Sequence, residues 1–154
     1  MSDINANLIN EVNSLESEVW DLAHKIWELS ELSLEEQESS ALEAQYLAKN
    51  GFVLSDHGIG GLDFAWIATW GSGKPVIGIT VEFDALPGLG NEVSAMKMPR
   101  KDGNPNGHGC GHNLIGNGAI CAAVALKNYL EKNNINVSVN KTIYNLIKTI
   151  EANF

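Results

Sequence analysis

The centre of the sequence reads Val76-Ile-Gly-Ile-Thr-Val-Glu-Phe83, a nearly continuous apolar run rich in β-branched residues. A run of this length and composition is typical of a buried strand. It is followed by Asp84-Ala-Leu-Pro87, where the proline ends the extended segment. Asp84 is therefore expected at the end of a buried strand, where α/β folds commonly present functional side chains.

A second β-prone run lies just before this strand. It reads Phe64-Ala-Trp-Ile-Ala-Thr-Trp70, and the turn signal Gly71-Ser-Gly-Lys74 separates it from the first run. Two apolar runs joined by a short glycine-containing turn predict a β-hairpin. Further upstream, the glycine-rich segment from Phe52 to Leu62 predicts a short strand with loops.

Three segments have helical periodicity. Apolar residues recur every three or four positions from Ile4 to Leu29, which predicts an amphipathic helix. A second helix is expected to begin at a cap formed by Ser39 or Ser40 and to stop at Gly51. A third, alanine-rich helix runs from Asn113 to about Lys132, and its small face favours close packing on a sheet. These elements predict an α/β fold, a three-layer sandwich fragment with a mixed sheet flanked by helices.

The composition narrows the classes of protein. A chain of 154 residues with 44% hydrophobic and 19% charged residues is expected to bury a core rather than to be disordered. Ten basic and nineteen acidic side chains give a net charge of −9, which argues against nucleic acid as a partner. The N-terminus lacks the basic and apolar regions of a secretory signal peptide, and no apolar run is long enough to span a membrane. Two cysteines are too few for a disulfide framework. A cytoplasmic protein is expected.

The most informative stretch for chemistry is Gly107-His-Gly-Cys-Gly-His-Asn113, immediately before the third helix. Thiolate and neutral imidazole are good ligands for zinc and related divalent metals, and glycines permit the backbone angles of a tight ligand loop. Cys110 and His112 are therefore candidate metal ligands, whereas a packed thiol in a glycine-rich loop is the alternative. Two ligands are fewer than a mononuclear site requires, so other residues must complete it.

Asp84 is the second candidate. A carboxylate at the end of a buried strand could accept a hydrogen bond from a ligating histidine and fix its tautomer. The alternative is that Asp84 caps the turn before Pro87, and the residues alone favour neither reading.

These residues resemble a known family. The segments Trp27–Glu36, Ser39–Phe52, Glu82–Leu89 and Gly107–Leu114 are similar, in this order, to the N-terminal part of the metal-dependent amidohydrolases and peptidases that include aminoacylase, carboxypeptidase G and aminobenzoyl-glutamate hydrolase. The resemblance covers roughly residues 5 to 132 and is greatest to the aminobenzoyl-glutamate branch.

The resemblance implies a site with two manganese or zinc ions that hydrolyses the amide bond of an N-acyl or aminobenzoyl amino acid, a small-molecule substrate. Cys110 and His112 match metal ligands of the family, and Asp84 matches an aspartate that supports the metal site in a catalytic role. Glu82 occupies the position at which the wider family has a ligating histidine. Metals in such a site activate a water molecule and stabilise the oxyanion, while a downstream glutamate acts as the general base.

The resemblance fades after Lys132, and the tail lacks the family's later residues. No histidine follows His112, and Glu151 is the only acidic residue beyond Glu131. We therefore expect residues 1–132 to be the N-terminal part of a catalytic metallohydrolase domain and residues 133–154 to be a divergent tail with one short helix. The expected fragment stops before the rest of the catalytic domain and the lid domain, so metal occupancy is in doubt and little activity is expected. An uncovered sheet edge would also favour self-association of the chain.

Two other classes of function compete with this interpretation. One is a non-catalytic remnant or interaction module, which would lack stoichiometric metal. The other is a nucleotide-binding α/β domain, because glycines precede a helix. Gly109-Cys-Gly-His-Asn-Leu114 lacks the last glycine of the dinucleotide fingerprint, and no Gly-Lys-Ser/Thr loop occurs, so the nucleotide interpretation is weak.

Overall fold

The computed structural model describes residues 2–72, 74–135 and 138–143. Within these ranges, three helices and four strands make up the fold. In chain order they are α1 (Ser2–Leu29), α2 (Gln37–Lys49), β1 (Val53–Leu54), β2 (Ile67–Trp70), β3 (Val76–Val81), α3 (His112–Lys132) and β4 (Ser138–Ile143), with a short 3₁₀ turn at Ile59–Gly61 between β1 and β2.

The four strands form one mixed sheet in the order β1-β2-β4-β3. β4 pairs antiparallel with β2 and parallel with β3, in a register that places Val76 opposite Ser138 and Val81 opposite Ile143. This confirms the predicted α/β class with a mixed sheet. The predicted hairpin between the runs that contain β2 and β3 is wrong, because β4 lies between them.

A crossover connection explains that difference. β3, α3 and β4 form a β-α-β unit, in which parallel strands need a long connection, here through a helix. Part of the predicted tail, Ser138–Ile143, is thus a strand of the sheet. Of the residues predicted to form a tail helix, Ile143 lies in β4, whereas Leu146, Ile147 and Ile150 lie outside the described residues. The boundary at residue 132 stays a prediction.

The start of α2 also differs from the expectation. Ser39 and Ser40 are buried inside the helix rather than at its cap. The carboxylate of Glu31 takes the capping role from outside the helix, accepting hydrogen bonds from the backbone N–H groups of Glu38 (3.0 Å) and Ser39 (2.7 Å). Ser40 instead accepts a hydrogen bond from the indole Nε1 of the fully buried Trp66.

The core lies between the helices and one face of the sheet. α2 packs on β1 and β2, α3 packs on β3, and α1 packs mainly on α3. The centre of this core contains fully buried side chains from the three helices and from the residue before β2: Ile26, Leu47, Ile120, Val124 and Trp66. Among the described residues, no helix combines the length and apolar character needed to cross a bilayer. The packing of α3 on β3 places the start of this helix beside the end of the strand.

Candidate metal centre

The carboxylates of the site come from the chain that leaves β3. Side chains alternate in extended backbone, and Val81 and Phe83 are buried in the core. Glu82 and Asp84 alternate with these two residues along the chain and lie outside the hydrophobic core cluster. Beyond Asp84, the N–H of Ala85 donates a 2.7 Å hydrogen bond to the Glu31 carbonyl, which holds this segment against the chain that leaves α1.

His112 is the first residue of α3 and reaches both carboxylates. Its Nδ1 lies 2.8 Å from Asp84 Oδ1 and 3.2 Å from the Asp84 carbonyl oxygen, and its Nε2 lies 3.1 Å from Glu82 Oε2. Gly111, which precedes it, has φ of +87°, a backbone conformation in which glycine carries no steric penalty. The chain thus turns into α3 with the imidazole between the two acids.

A second glycine allows α3 to approach the strand. A Cβ on Gly116 would lie 2.5 Å from the Glu82 carbonyl oxygen and 3.3 Å from Glu43 Oε1. Real Cβ atoms essentially never approach another heavy atom to 2.5 Å, so only glycine fits without a shift of the backbone. The short distance from His112 to Glu82 depends on this close contact between helix and strand.

The two carboxylates have different surroundings. Asp84 is 1% exposed, and its Oδ2 has no hydrogen-bond partner among the described residues. Glu82 remains about one-third exposed, with 35% of its side chain accessible to solvent. Asp84 Oδ1 accepts a hydrogen bond from His112 Nδ1, which leaves Nε2 facing Glu82. Two acceptor atoms 3.1 Å apart repel each other unless a proton or a cation lies between them.

This arrangement fits a divalent metal ion. One nitrogen and two carboxylates, from His112, Glu82 and Asp84, offer ligand atoms that all lie within 4.8 Å of one another. Atoms that share a zinc ion at about 2.1 Å with angles near the tetrahedral value lie about 3 to 3.5 Å apart, and the separation of His112 Nε2 from Glu82 Oε2 falls in this range. The hydrogen bond from Nδ1 to Asp84 is the outer contact that ligating histidines commonly make.

Of the sequence-predicted residues, the structure brings Asp84 and His112 together but leaves Cys110 outside their cluster. Cys110 is an exposed free thiol, and the group of close ligand atoms contains Glu82 instead. The role of Cys110 stays a prediction. Cys121 is buried in α3, and burial raises the pKa of its thiol, as expected for a structural cysteine.

His108 makes a structural contact with the end of α1. Its Nε2 donates a hydrogen bond to the Ile26 carbonyl at 3.1 Å, near the end of α1. Burial lowers the pKa of His108 below its usual value, and the hydrogen bond to the Ile26 carbonyl opposes this effect in part.

Glu82 is the residue of the cluster that sequence reasoning did not identify as a candidate ligand. The available signal was its spacing, because Glu82 precedes Asp84 by two positions where the apolar strand ends. Residues two apart in extended backbone share a side of the chain. This spacing alone does not distinguish metal ligands from ordinary surface acids. It identifies a metal site only once a third ligand from another element, here His112, is known to lie beside the two carboxylates.

Comparison with known proteins identifies relatives of this chain. One subunit of the p-aminobenzoyl-glutamate hydrolase of Escherichia coli (strain K12) is 41% identical over 98 residues, which are 64% of this chain and 20% of that protein. The matched region therefore spans about a fifth of the length of that curated relative. No protein-family model matches the chain.

Solved structures share the fold. The Bacillus subtilis YXEP protein, described as a dinuclear metal-binding peptidase of the M20 family, superposes with a TM-score of 0.62 at 19% identity, over 85% of this chain and 35% of its own. A protein of methicillin-resistant Staphylococcus aureus, described as an aminohydrolase, gives a TM-score of 0.65 at 23% identity, over 90% of this chain and 34% of its own. The sequence match confirms the resemblance found in the sequence, and these neighbours show that the fold is shared.

Proposed function

We propose that this chain, which is 41% identical over 98 residues to part of a p-aminobenzoyl-glutamate hydrolase subunit, binds a divalent metal ion for amide hydrolysis. In this proposal His112 and Glu82 hold the ion, and Asp84 orients the imidazole. The observation that carries the proposal is the position of His112, with one ring nitrogen on each of two carboxylates.

The three residues have distinct tasks. Asp84, buried and bonded to Nδ1, keeps the proton on that nitrogen and presents the Nε2 lone pair to the ion. Glu82 supplies negative charge at the solvent-accessible side of the site. A bound divalent ion supplies a Lewis acid that polarises a carbonyl and lowers the pKa of water. We propose manganese or zinc, with two ions in a complete site, as the resemblance implies.

The proposed substrates are N-acyl or aminobenzoyl amino acids such as aminobenzoyl-glutamate. The support is the 41% identity to part of a p-aminobenzoyl-glutamate hydrolase. We also propose a cytoplasmic setting, which suits the two free thiols of Cys110 and Cys121.

Metal content after purification tests the proposal directly. We expect about one equivalent of zinc or manganese by mass spectrometry, and a rise in the unfolding temperature when either metal is added, because a ligand that binds only the folded state stabilises it. The Cys110→Ala variant separates the two possible ligand sets. If this variant retains metal, the ligands are Glu82 and His112. If it loses metal, Cys110 is a ligand, as the resemblance implies. Absence of metal and of any thermal shift would refute metal binding.

We expect the 154-residue chain by itself to hydrolyse aminobenzoyl-glutamate and N-acyl amino acids slowly or not at all, even with added manganese or zinc. The reason is chemical, because no histidine follows His112 and no glutamate matches the family's general base. Removing a general base alone typically costs about 10²- to 10⁴-fold in rate. Turnover that disappears in Cys110→Ala would contradict this expectation.

A second candidate function is a non-catalytic module that associates with itself. The observation that favours it is β3, which lies at one edge of the described sheet and contains no charged residue or proline. Val76 is 53% exposed and Ile77 38% exposed on this strand, so the burial predicted for the run is wrong for its first residues. Uncharged edge strands with exposed apolar side chains are templates for pairing with another chain. Stoichiometric metal in the purified protein would favour the hydrolase proposal over this one.

A further inference from the structure

The end of α1 is held by side chains from the loop that precedes His112. The last four carbonyls of a helix have no partner within the helix. Here Ile26, Trp27, Glu28 and Leu29 all accept hydrogen bonds from residues between Arg100 and Gly111, a segment we call the strap. His108 Nε2 bonds to Ile26 O, and Asn104 Nδ2 bonds to Leu29 O at 3.1 Å.

Arg100 makes most of these contacts. Its Nη1 donates to the Trp27 carbonyl at 2.9 Å and to Ser30 Oγ at 3.0 Å, and its Nη2 donates to the Glu28 carbonyl at 2.8 Å. The remaining N–H groups face the Asp102 carboxylate, so all five donors of the guanidinium have acceptors.

The surroundings of Arg100 show that it is built into the fold. Only 3% of its side chain is exposed, and the guanidinium lies 4.4 Å from the centre of the Trp27 ring. The hydrogen bond from Arg100 lowers the pKa of Asp102 to about 2, with a smaller contribution from the Asn104 N–H. A planar fork matches two neighbouring carbonyls and stacks on an aromatic ring, and a lysine ammonium cannot do both.

The strap leads directly to the metal centre. Gly107 exchanges two backbone hydrogen bonds with Leu86, at 3.0 and 3.1 Å, two residues after Asp84. The carbonyl of His108 accepts the N–H of Gly111 at 3.0 Å, and α3 begins with His112. Asp84 is tied to the same end of α1 through the hydrogen bond from Ala85 to Glu31. Both members of the Asp84–His112 pair are thus anchored on the end of α1.

We propose that Arg100 is a positioning residue for this centre: by fastening the strap to the last carbonyls of α1, it sets His112 in place between Asp84 and Glu82. The role in metal binding rests on the proposed function. The role in placing the imidazole does not, because the hydrogen bond from His112 Nδ1 to Asp84 can be observed without a metal.

The test compares the wild type with Arg100→Lys by two measurements on the full chain. The first is exchange of the His112 Nδ1 proton with water, measured by NMR in metal-free protein. The second is the affinity for zinc, by titration calorimetry. We expect exchange to accelerate at least about 10-fold and zinc affinity to fall about 10-fold or more, the usual effect of disturbing the support of a ligand. The control for a general loss of stability is Ser40→Ala. This substitution removes a buried hydrogen bond with Trp66, and neither residue belongs to the strap.

An unchanged Nδ1 proton in folded Arg100→Lys, or the same acceleration in Ser40→Ala, would overturn the positioning role. If Arg100→Lys fails to fold, Asp102→Asn provides the second variant. It removes the charged partner of Arg100 but leaves the contacts to the α1 carbonyls, so a smaller acceleration is expected, and none would overturn the proposal. A wild type that binds no zinc would refute the proposed function, while the NMR comparison would still decide the role of Arg100.

Discussion

Replacing His112 with alanine is expected to lower the affinity of the chain for zinc by at least about 100-fold, because the substitution removes the nitrogen ligand and leaves two carboxylates facing each other. Loss of a partner behind a ligand typically costs about 10- to 100-fold in metal affinity, so loss of the ligand itself should reach or exceed the upper value. Titration calorimetry with zinc measures the effect. His24→Ala is the matched control, since His24 is an exposed histidine of α1 whose ion-pair partner is Glu28, outside the cluster.

Two further substitutions refine the same prediction. Asp84→Asn should reduce zinc affinity about 10- to 100-fold, because the amide keeps the shape of the side chain but not the charge that holds the Nδ1 proton. Glu82→Gln should reduce it at least as much if Glu82 is a ligand. Equal zinc affinity in the wild type and His112→Ala would contradict the proposed centre. A loss in His112→Ala without a loss in Glu82→Gln would move the second ligand elsewhere, with Cys110 as the next residue to test.

Replacing Gly116 with alanine is expected to destabilise the fold by about 1 to 3 kcal/mol, the usual cost of inserting a methyl group into a packed interface. The added Cβ would meet the Glu82 carbonyl oxygen at 2.5 Å, and a backbone oxygen cannot move away as a flexible side chain can. The free energy of unfolding, from urea titration followed by circular dichroism, measures the change. Because α3 must shift away from Glu82, zinc affinity should fall as well.

Gly118 provides a matched control in the same helix. It is exposed, and a Cβ added at this position would meet no atom within 4 Å apart from the backbone of its own helix and its chain neighbours. Gly118→Ala should therefore stabilise the chain by up to about 1 kcal/mol, the difference in helix propensity between the two residues. The two glycine substitutions are expected to have opposite signs. Stabilisation by both would show that α3 does not need its close contact with Glu82.

The elements with a strong local signal could be predicted from the sequence. The apolar period of α1 and α3 places one stripe on each helix, and the structure confirms both. The position of Asp84 after a strand and of His112 before a helix also follows from local pattern, and the family resemblance rests on the same residues. Each of these inferences uses residues that are neighbours in the chain.

Strand order and the full composition of the metal centre could not be predicted in this way. The turn between β2 and β3 is short enough for a hairpin, but β4 takes the place between them because the β3-α3-β4 crossover places it parallel to β3. The capping of α2 by Glu31, rather than by Ser39 or Ser40, depends on a side chain that lies outside the helix. Strand order and helix capping of this kind depend on contacts between residues that are distant in the chain, and a local sequence pattern contains no information about those contacts.

The sequence by itself therefore determined the α/β class, the helices, and the positions of Asp84 after a strand and of His112 before a helix, since spacing and residue type carry these features. Only the tertiary structure placed Glu82 on the second nitrogen of His112, left Cys110 exposed outside the cluster, and joined Arg100 to the end of α1. The physical reason is the same in each case. These contacts join residues from separate elements, and their distances are decided by how closely α3 packs on the strand and how the strap lies on the helix.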